Sequence, residues 1–499
     1  MPRINDQRLV TASIMLATVM QVLDTTIANV ALPHMQGSLS ASTDQITWVL
    51  TSYIVSAAIM TPAVGFFAGR LGRRRLFLWS VAGFTVASGL CGLSANLDQM
   101  VMFRILQGIF GAALVPLSQS VLLDTYPVEK HGQAMAIWGM GVMVGPILGP
   151  TLGGWLTEWY SWRWVFYINL PFGLLAFAGI WISVAESETR KVRFDTLGFA
   201  FLGLAIGAFQ LMLDRGEQEK WFESFEIQIE ALLAVLGFYL FVVHSLTRKD
   251  PFINLSLFKD RNFVTGVVFI FVVGIILLAT MALLPPFLQQ WKDYPAVTTG
   301  LVLAPRGLGS MFSMMLVGRL MRTRLDPRVL VVTGLVLISV SLHQMAGFTL
   351  EVSRQTLVWT GVLQGLGLGL VFVPASTLTY ATLKPALRTE GASLFSLSRN
   401  LGSSVGISIM TAMLSRNMWI NQQQLGEHMH LRAWIAQGLP MKDMVGGVPA
   451  AVYQTLMAQA AEISYMNDFR LLMWINMAAI PLVLLLRHQQ RRPASEAGA

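Results

Sequence analysis

Charge is scarce in this sequence. Only 12% of its 499 residues are Asp, Glu, Lys or Arg, against 54% apolar residues, where a soluble domain carries about 25% charged residues. A chain so long and so poor in charge cannot cover a water-facing surface, so its apolar side chains must face lipid or one another. Cysteine is scarcer still: Cys91, inside an apolar run, is the only one. That excludes a disulfide framework and a thiolate metal cluster and leaves a small buried hydrophobe. No lysine follows a glycine anywhere, so the phosphate loop G-x-x-x-x-G-K-[ST], and ATP hydrolysis with it, is excluded. H-E-x-x-H is missing too, and His428 and His430, alone in a loop, read as surface residues. The sequence therefore points to no enzyme, no cofactor and no metal. A net charge of +8 does not indicate nucleic acid, because the positive charges sit in short loops rather than on one face.

What the chain does have is long apolar runs. They fall near 9–32, 46–68, 76–95, 99–123, 133–157, 164–185, 196–213, 226–246, 262–289, 297–318, 329–348, 356–380, 391–414 and 469–487, each near the ~20 residues a helix needs to cross a bilayer. The first is too long for a signal-peptide core and lacks a small-residue cleavage site, so it reads as a retained span. Lys and Arg concentrate on one side, in segments such as Arg70–Arg75, Arg190–Arg193, Arg248–Arg261 and Arg319–Arg328. The positive-inside rule then places both termini in the cytoplasm.

The chain also repeats itself at an offset of about 253–258 residues. The basic loop Gly65–Arg75 (GFFAGRLGRRR) is echoed by Gly318–Arg328 (GRLMRTRLDPR). Leu106-Gln107-Gly108 with Val115-Pro116 returns as Leu363-Gln364-Gly365 with Val373-Pro374. Spans 1–6 thus align with spans 9–14 and leave spans 7 and 8 unmatched. The expected fold is all-α integral membrane, a 6+2+6 arrangement of transmembrane helices with two pseudo-symmetric six-helix halves. Residues 1–190 form the N-terminal half, 191–260 hold two inserted helices, and 261–499 form the C-terminal half with a long periplasmic loop at 415–468. Paired six-helix halves of this kind belong to secondary transporters, whose site lies between them near the bilayer midplane.

On these residues the chain resembles the major facilitator superfamily, its fourteen-helix drug:proton antiporter branch and, within it, the EmrB-like multidrug exporters. Leu23–Pro33 (LDTTIANVALP) is similar to that branch's first-helix signature, Gly65–Arg75 to the superfamily's loop motif, and Arg104 with Gln107-Gly108 to the fourth-helix motif. Gly141–Gly154 (GVMVGPILGPTLGG) resembles the fifth-helix antiporter motif, Trp162–Pro171 (WRWVFYINLP) the opening of helix 6, and Leu211–Trp221 (LMLDRGEQEKW) a feature between the inserted helices. Within the loop motif Gly65, Arg70, Gly72 and Arg73 match. Gly69 stands where the family has an acid that joins the two halves, so that gating contact must be built differently or be weaker.

Asp24 is the sharpest candidate. A carboxylate in a span costs several kcal/mol and faces a cavity or a partner. Thr25, Thr26 and Asn29 are polar groups available to either of its protonation states. It reads as the proton-coupling residue, with static pairing to a buried arginine as the alternative. For Arg104 the resemblance implies a role in proton relay, snorkelling being the alternative, and Gln107 joins the same network. Candidate cavity residues are Gln21, Thr25, Asn29, Tyr53, Gln107, Ser118, Gln119, Arg306, Arg399 and Asn400. The two arginines hint at anionic or weakly acidic cargo, while pairing with carbonyls or Asn400 explains them equally well. Gly141, Gly145, Gly149 and Gly153 recur every four residues and give a smooth face for close helix approach. Pro146 and Pro150 bend the same helix, and Gly154 completes the motif, which reads as a rocking or sealing interface. Pro285-Pro286 mark a kink in the ninth span.

Together these features describe a proton-driven exporter of hydrophobic and amphipathic compounds in a bacterial inner membrane. A proton-coupled uptake carrier and a non-transporting sensor or scaffold are the alternatives. The resemblance also implies a periplasmic EmrA-like adaptor and a TolC-like outer-membrane channel, with the 415–468 segment as docking site or tolerated insertion; its Ala450–Ile463 stretch reads as an amphipathic helix.

Overall fold

The computed structural model describes residues 6–189, 193–323, 325–427, 444–445 and 448–486; His428 and His430 lie outside them. Thirteen described helices are long and apolar enough to cross a membrane. In chain order these and their companion are α1 Gln7–Ser38, α2 Asp44–Leu71, α3 Arg73–Leu93, α4 Leu97–Thr125, α5 Val128–Trp159, α6 Trp164–Ser183, α7 Thr196–Arg215 and α8 Phe225–Thr247. They continue with α9 Arg261–Pro286, α10 Ala296–Leu320, α11 Pro327–Met345, α12 Arg354–Ala381, α13 Arg388–Glu427 and α14 Ala450–Ala479. The span expected at 391–414 is α13, which packs along α9 and α14. It is the one helix too polar to qualify on composition, because Ser393, Ser396, Arg399, Asn400, Ser403, Ser404 and Ser408 are spread along it. The only strands described are two residues each, Met444–Val445 against Val448–Pro449.

Four of the chain's 27 acidic residues start helices. Asp6, Asp195, Asp260 and Asp326 each cap a helix by accepting a backbone N–H, which satisfies donors that have no partner in the first turn. Below, the end of the bundle that carries residues 70–75 is called basal and the other distal. One helix is far longer than the ~20 residues a bilayer crossing needs. α13 has 40 residues, about 60 Å at 1.5 Å per residue, and pairs with α14 through Asn421, which donates to Ser464 at 3.0 Å. The segment expected as an external loop is therefore partly helical, and α14 begins well before the expected span at 469. Its buried residues Leu456, Ala460, Ser464, Asp468 and Leu472 recur every four positions, the amphipathic pattern that seats it on the bundle.

The repeat is visible in the packing. In the N-terminal half α5 lies on α1, with Gly145 against Val22 and Gly149 against Thr26; in the C-terminal half α13 lies on α9, with Gly402 against Phe271 and Gly406 against Ile275. Gly108 of α4 meets Tyr53 and Ser56 of α2, and Gly365 of α12 meets Arg306 and Ser310 of α10. Positions 257 residues apart thus do the same work: each is a place where a Cβ would collide with a neighbouring backbone or side chain.

The inserted pair bridges the two halves. Gly203 and Gly207 of α7 rest on Ile59 of α2, and Thr51 of α2 donates to Asp214. On its other side Gln210 donates to Ser404 of α13 at 2.8 Å, and Ser408 donates to the Leu213 carbonyl. At the basal end Asp195 ties α7 to α8 through His244 (2.9 Å) and Arg248 (3.0 Å). Burial opposes charge on Asp195, but the Gly198 N–H, His244 and Arg248 outweigh it and hold the carboxyl below its usual range.

Among the described residues, the polar bonds between the two six-helix groups all lie at the basal end. Asp124, at the end of α4, accepts from Arg73 and, at 2.8 Å, from Arg388 of α13. Arg73 also donates to the Pro385 carbonyl, Ser120 bonds Thr389 at 2.7 Å, and Arg322 donates to Gln133. Gly65 lies so close to α13 that a Cβ would sit 2.8 Å from the Glu390 Cα. The contact expected at Gly69 is thus built without an acid there: one carboxylate on α4 is shared by two arginines, one from each half. Gly72, at φ +87°, makes the sharp turn that delivers Arg73 to this seam, a conformation glycine adopts without strain. Asp124→Asn should loosen it. Loss of about 1–2 kcal/mol would shift a two-state balance roughly 5–30-fold, read as faster thiol labelling, from the basal side, of a cysteine placed at Ser120. Native Cys91 is buried and does not compete.

Candidate functional site

α1 rises from the basal end, and Asp24 lies 17 residues along it, about 26 Å from its start. α4 descends from the distal end and brings Arg104 to the same level within two turns. Both side chains are fully buried. Arg104 Nη1 donates to Asp24 Oδ2 at 2.7 Å and to Gln107 Oε1 at 2.8 Å, and its Nε donates to the Val49 carbonyl at 2.9 Å. Gln107 Nε2 and Asn169 Nδ2 each donate to Asp24 Oδ1 at 2.8 Å. The guanidinium lies over the rings of Tyr53 and Phe166, 4.4 and 5.6 Å from their centroids. Burying two charges is costly, and the cost is offset only when every remaining lone pair and N–H is engaged; here the acid is held from two other helices and the base from three directions.

Snorkelling does not describe Arg104, since its head points inward. The local neighbours expected to serve Asp24 do not reach it. Thr25 donates to the Val22 carbonyl, Thr26 to Val22, Leu23 and Gly145 carbonyls, and Asn29 is exposed. Their place is taken by Gln107 and by Asn169 of α6, which sequence reasoning passed over although it is a polar residue within an apolar span. A second shell follows: Asn169 also donates to Ser88 at 3.0 Å, and the Cys91 thiol to Gln107 at 3.5 Å. Cys91 is buried as expected.

Other candidates are scattered. Gln21 donates to the Tyr53 hydroxyl at 3.1 Å and stays half-buried. Ser118 and Gln119 are not on an open cavity wall but in the basal seam, where Ser118 accepts from the Trp138 indole and Gln119 from the Tyr380 hydroxyl across the halves. Trp138 in turn stacks on Phe372 of α12. Arg306 is buried and donates to the Leu277 carbonyl at 3.2 Å; Arg399 is half-buried and reaches Asn400 at 3.4 Å, and Asn400 itself is exposed. Arg70 is exposed. The glycine stripe faces α1 of its own half: Gly141 meets Met15, and Gly153 meets Ile27 and Val30. Contacts of α5 across the halves come instead from Gly132 on Met321, Gly139 on Met314 and Ile147 on Gly307. A Cβ on Gly154 would meet nothing outside its own helix backbone within 4 Å, and Pro146 and Pro150 lie within the helix.

The C-terminal half carries the same scaffold without the ion pair. Gln364, the counterpart of Gln107, donates to Thr280 of α9 at 3.2 Å, where the N-terminal half has Asp24. Tyr53 corresponds to Arg306. One half therefore holds a titratable pair, and the other holds a threonine and a lone cation.

The family model of the Major Facilitator Superfamily matches residues 14–419. The chain is 39% identical over 423 residues to the Multidrug export protein EmrB of Escherichia coli, covering 84% of this chain and 82% of that one. It is 38% identical over 421 residues to the Fatty acid resistance protein FarB of Neisseria gonorrhoeae, covering 84% and 83%. Among solved structures, the human organic anion transporter MFSD10 shares the fold at a TM-score of 0.59 and 14% identity, over 94% of this chain and 99% of that one. The duplicated six-helix packing, the matched motifs and these relatives agree: the chain belongs to the Major Facilitator Superfamily.

Proposed function

We propose that this protein exports hydrophobic and amphipathic compounds across the bacterial inner membrane in exchange for protons, by alternating access with both termini in the cytoplasm. One observation carries the reading: a carboxylate, Asp24, is wholly buried in a span and tied to Arg104, Gln107 and Asn169 on two other helices. When Asp24 takes up a proton it loses its charge, and its hold on α4 and α6 weakens. Arg104 keeps the Val49 carbonyl, Gln107 and two aromatic faces, so the cation survives the change. α1 is then free to shift on the glycine face of α5, whose contacts Val22 and Thr26 flank Asp24. The basal seam at Asp124 would open as the distal side closes.

EmrB and FarB, named for multidrug export and for fatty acid resistance, support export as the direction. Arg306 and Arg399 have no described carboxylate as partner, which favours weakly acidic cargo. The distal extensions of α13 and α14 support docking of a periplasmic adaptor that hands cargo to an outer-membrane channel. Each net charge crossing 100 mV supplies about 2.3 kcal/mol, equivalent to an accumulation of about 50-fold. In inside-out vesicles with an imposed proton gradient, Asp24→Asn should abolish that accumulation. Undiminished accumulation would remove Asp24 from the coupling mechanism.

A further inference from the structure

A second buried carboxylate lies in the C-terminal half. Asp468, on α14, has no exposed surface, and among the described residues the Asn417 side chain is the one hydrogen-bonding group beside its two oxygens. Asn417 of α13 lies beside it, and Tyr465 sits one turn earlier on its own helix. The charged groups on the surrounding elements are engaged elsewhere or turned outward. Lys292, after α9, donates to the Leu350 and Val352 carbonyls; Glu462 accepts from the Leu350 N–H; Glu351, Arg416 and Arg470 are exposed. None pairs with Asp468 among the described residues. Asp24, by contrast, receives three hydrogen bonds. A carboxylate left without a charged partner in an apolar interior is expensive as an ion, and a bound proton is the simplest remedy.

The surroundings give that proton something to control. α9 ends in Pro285-Pro286 and then a π-helical turn, Phe287–Trp291. The kink expected from the two prolines is thus a change of helix type, and such turns mark places where a helix can rearrange. This turn rests on the Asp468 region: the Phe287 ring is 5.2 Å from that of Tyr465 and 6.3 Å from that of Phe348, and Phe348 is 6.2 Å from Phe469. Trp291 also hydrogen-bonds Tyr465. An ionised Asp468 would draw in water and the Asn417 amide and open this aromatic seat.

We infer that Asp468 is a second proton-binding site, separate from Asp24, whose neutral form seats the π-helical end of α9 and whose ionised form releases it. The site binds a proton whether or not cargo moves, so its test does not depend on transport. The full chain in lipid is examined by infrared difference spectroscopy and by thiol labelling of Leu288→Cys, a fully buried position in the π turn. Wild type should show a neutral-carboxyl stretch at neutral pH that Asp468→Asn removes and Asp24→Asn leaves. Labelling, divided by that of an exposed cysteine at the same pH to remove the thiol's own ionisation, should rise about tenfold per pH unit until it saturates, as the ionised fraction does. In Asp468→Asn it should stay low at every pH. Asp468→Leu, also permanently neutral, provides a second variant should the amide disturb folding. A carboxyl band that persists in both variants, or labelling with unchanged pH dependence in them, would overturn the inference.

Discussion

Arg104→Met should cost both stability and coupling. Methionine fills much of the same space, so the main change is electrostatic: Asp24 keeps the Gln107 and Asn169 amides and loses the one cation bonded to it among the described residues. Removing one partner of a buried ion pair typically costs about 3–5 kcal/mol, because the other charge is left uncompensated. The protein can escape part of that cost by keeping Asp24 protonated, but a carboxyl that cannot release its proton cannot couple. Gradient-driven transport should therefore fall by about 100-fold or more, and the purified protein should melt earlier. Adding Asp24→Asn should restore the melting temperature without restoring transport, since the pair is then removed as a unit. Arg104→Lys should rescue only weakly. The guanidinium uses Nε for Val49 and Nη1 for Asp24 and Gln107, a planar fork that an ammonium does not reproduce. Full gradient-driven transport by Arg104→Met would show that the pair only holds the helices together.

How much of this was legible in the sequence depends on which forces set each feature. The spans could be read because lipid demands long apolar runs, and Asp24, Arg104 and Gln107 stood out as polar exceptions within them. The partners of Asp24 could not be read locally. At about 100° per residue, Thr25, Thr26 and Asn29 point away from the face of Asp24, whose helical neighbours are Ile27, Ala28 and Ala31. The two alanines leave room there for side chains from α4 and α6 instead, and no local pattern names Asn169. α13 was found as a span although its serines make it polar, because enough apolar residues remain between them over 391–414 to read as a run. The distal half of α14 was legible as an amphipathic helix over Ala450–Ile463, but not as the start of the last span. Its apolar face is diluted by Gln, Ser and Glu on the exposed side, so hydropathy alone shows no span there. Asp468, in the same expected loop, escaped notice.

The glycine stripe was legible as a close-packing face, but its partner was not, and the partner decides what a bulky substitution does. At Gly145 a Cβ would lie 2.9 Å from the backbone carbon and oxygen of Val22. Backbone of a packed helix cannot rotate away, so Gly145→Leu must push α1 off α5. Overpacking of this kind costs about 1–3 kcal/mol, and the displacement is larger than a hydrogen bond tolerates. Val22 is two residues from Asp24, so the 2.7 Å ion pair with Arg104 is the first contact to give. Transport should drop about 10- to 100-fold while the protein still inserts and is recovered from membranes in ordinary amount. Gly154→Leu is the matching control. It lies in the same motif and the same helix, but nothing outside its own helix backbone stands within 4 Å of its Cβ position, so transport should stay within about twofold of wild type. Equal damage from both variants would mean that glycine serves the flexibility of α5 itself. Damage confined to Gly145 would place the requirement at the α1–α5 contact, where the charge on Asp24 is translated into movement.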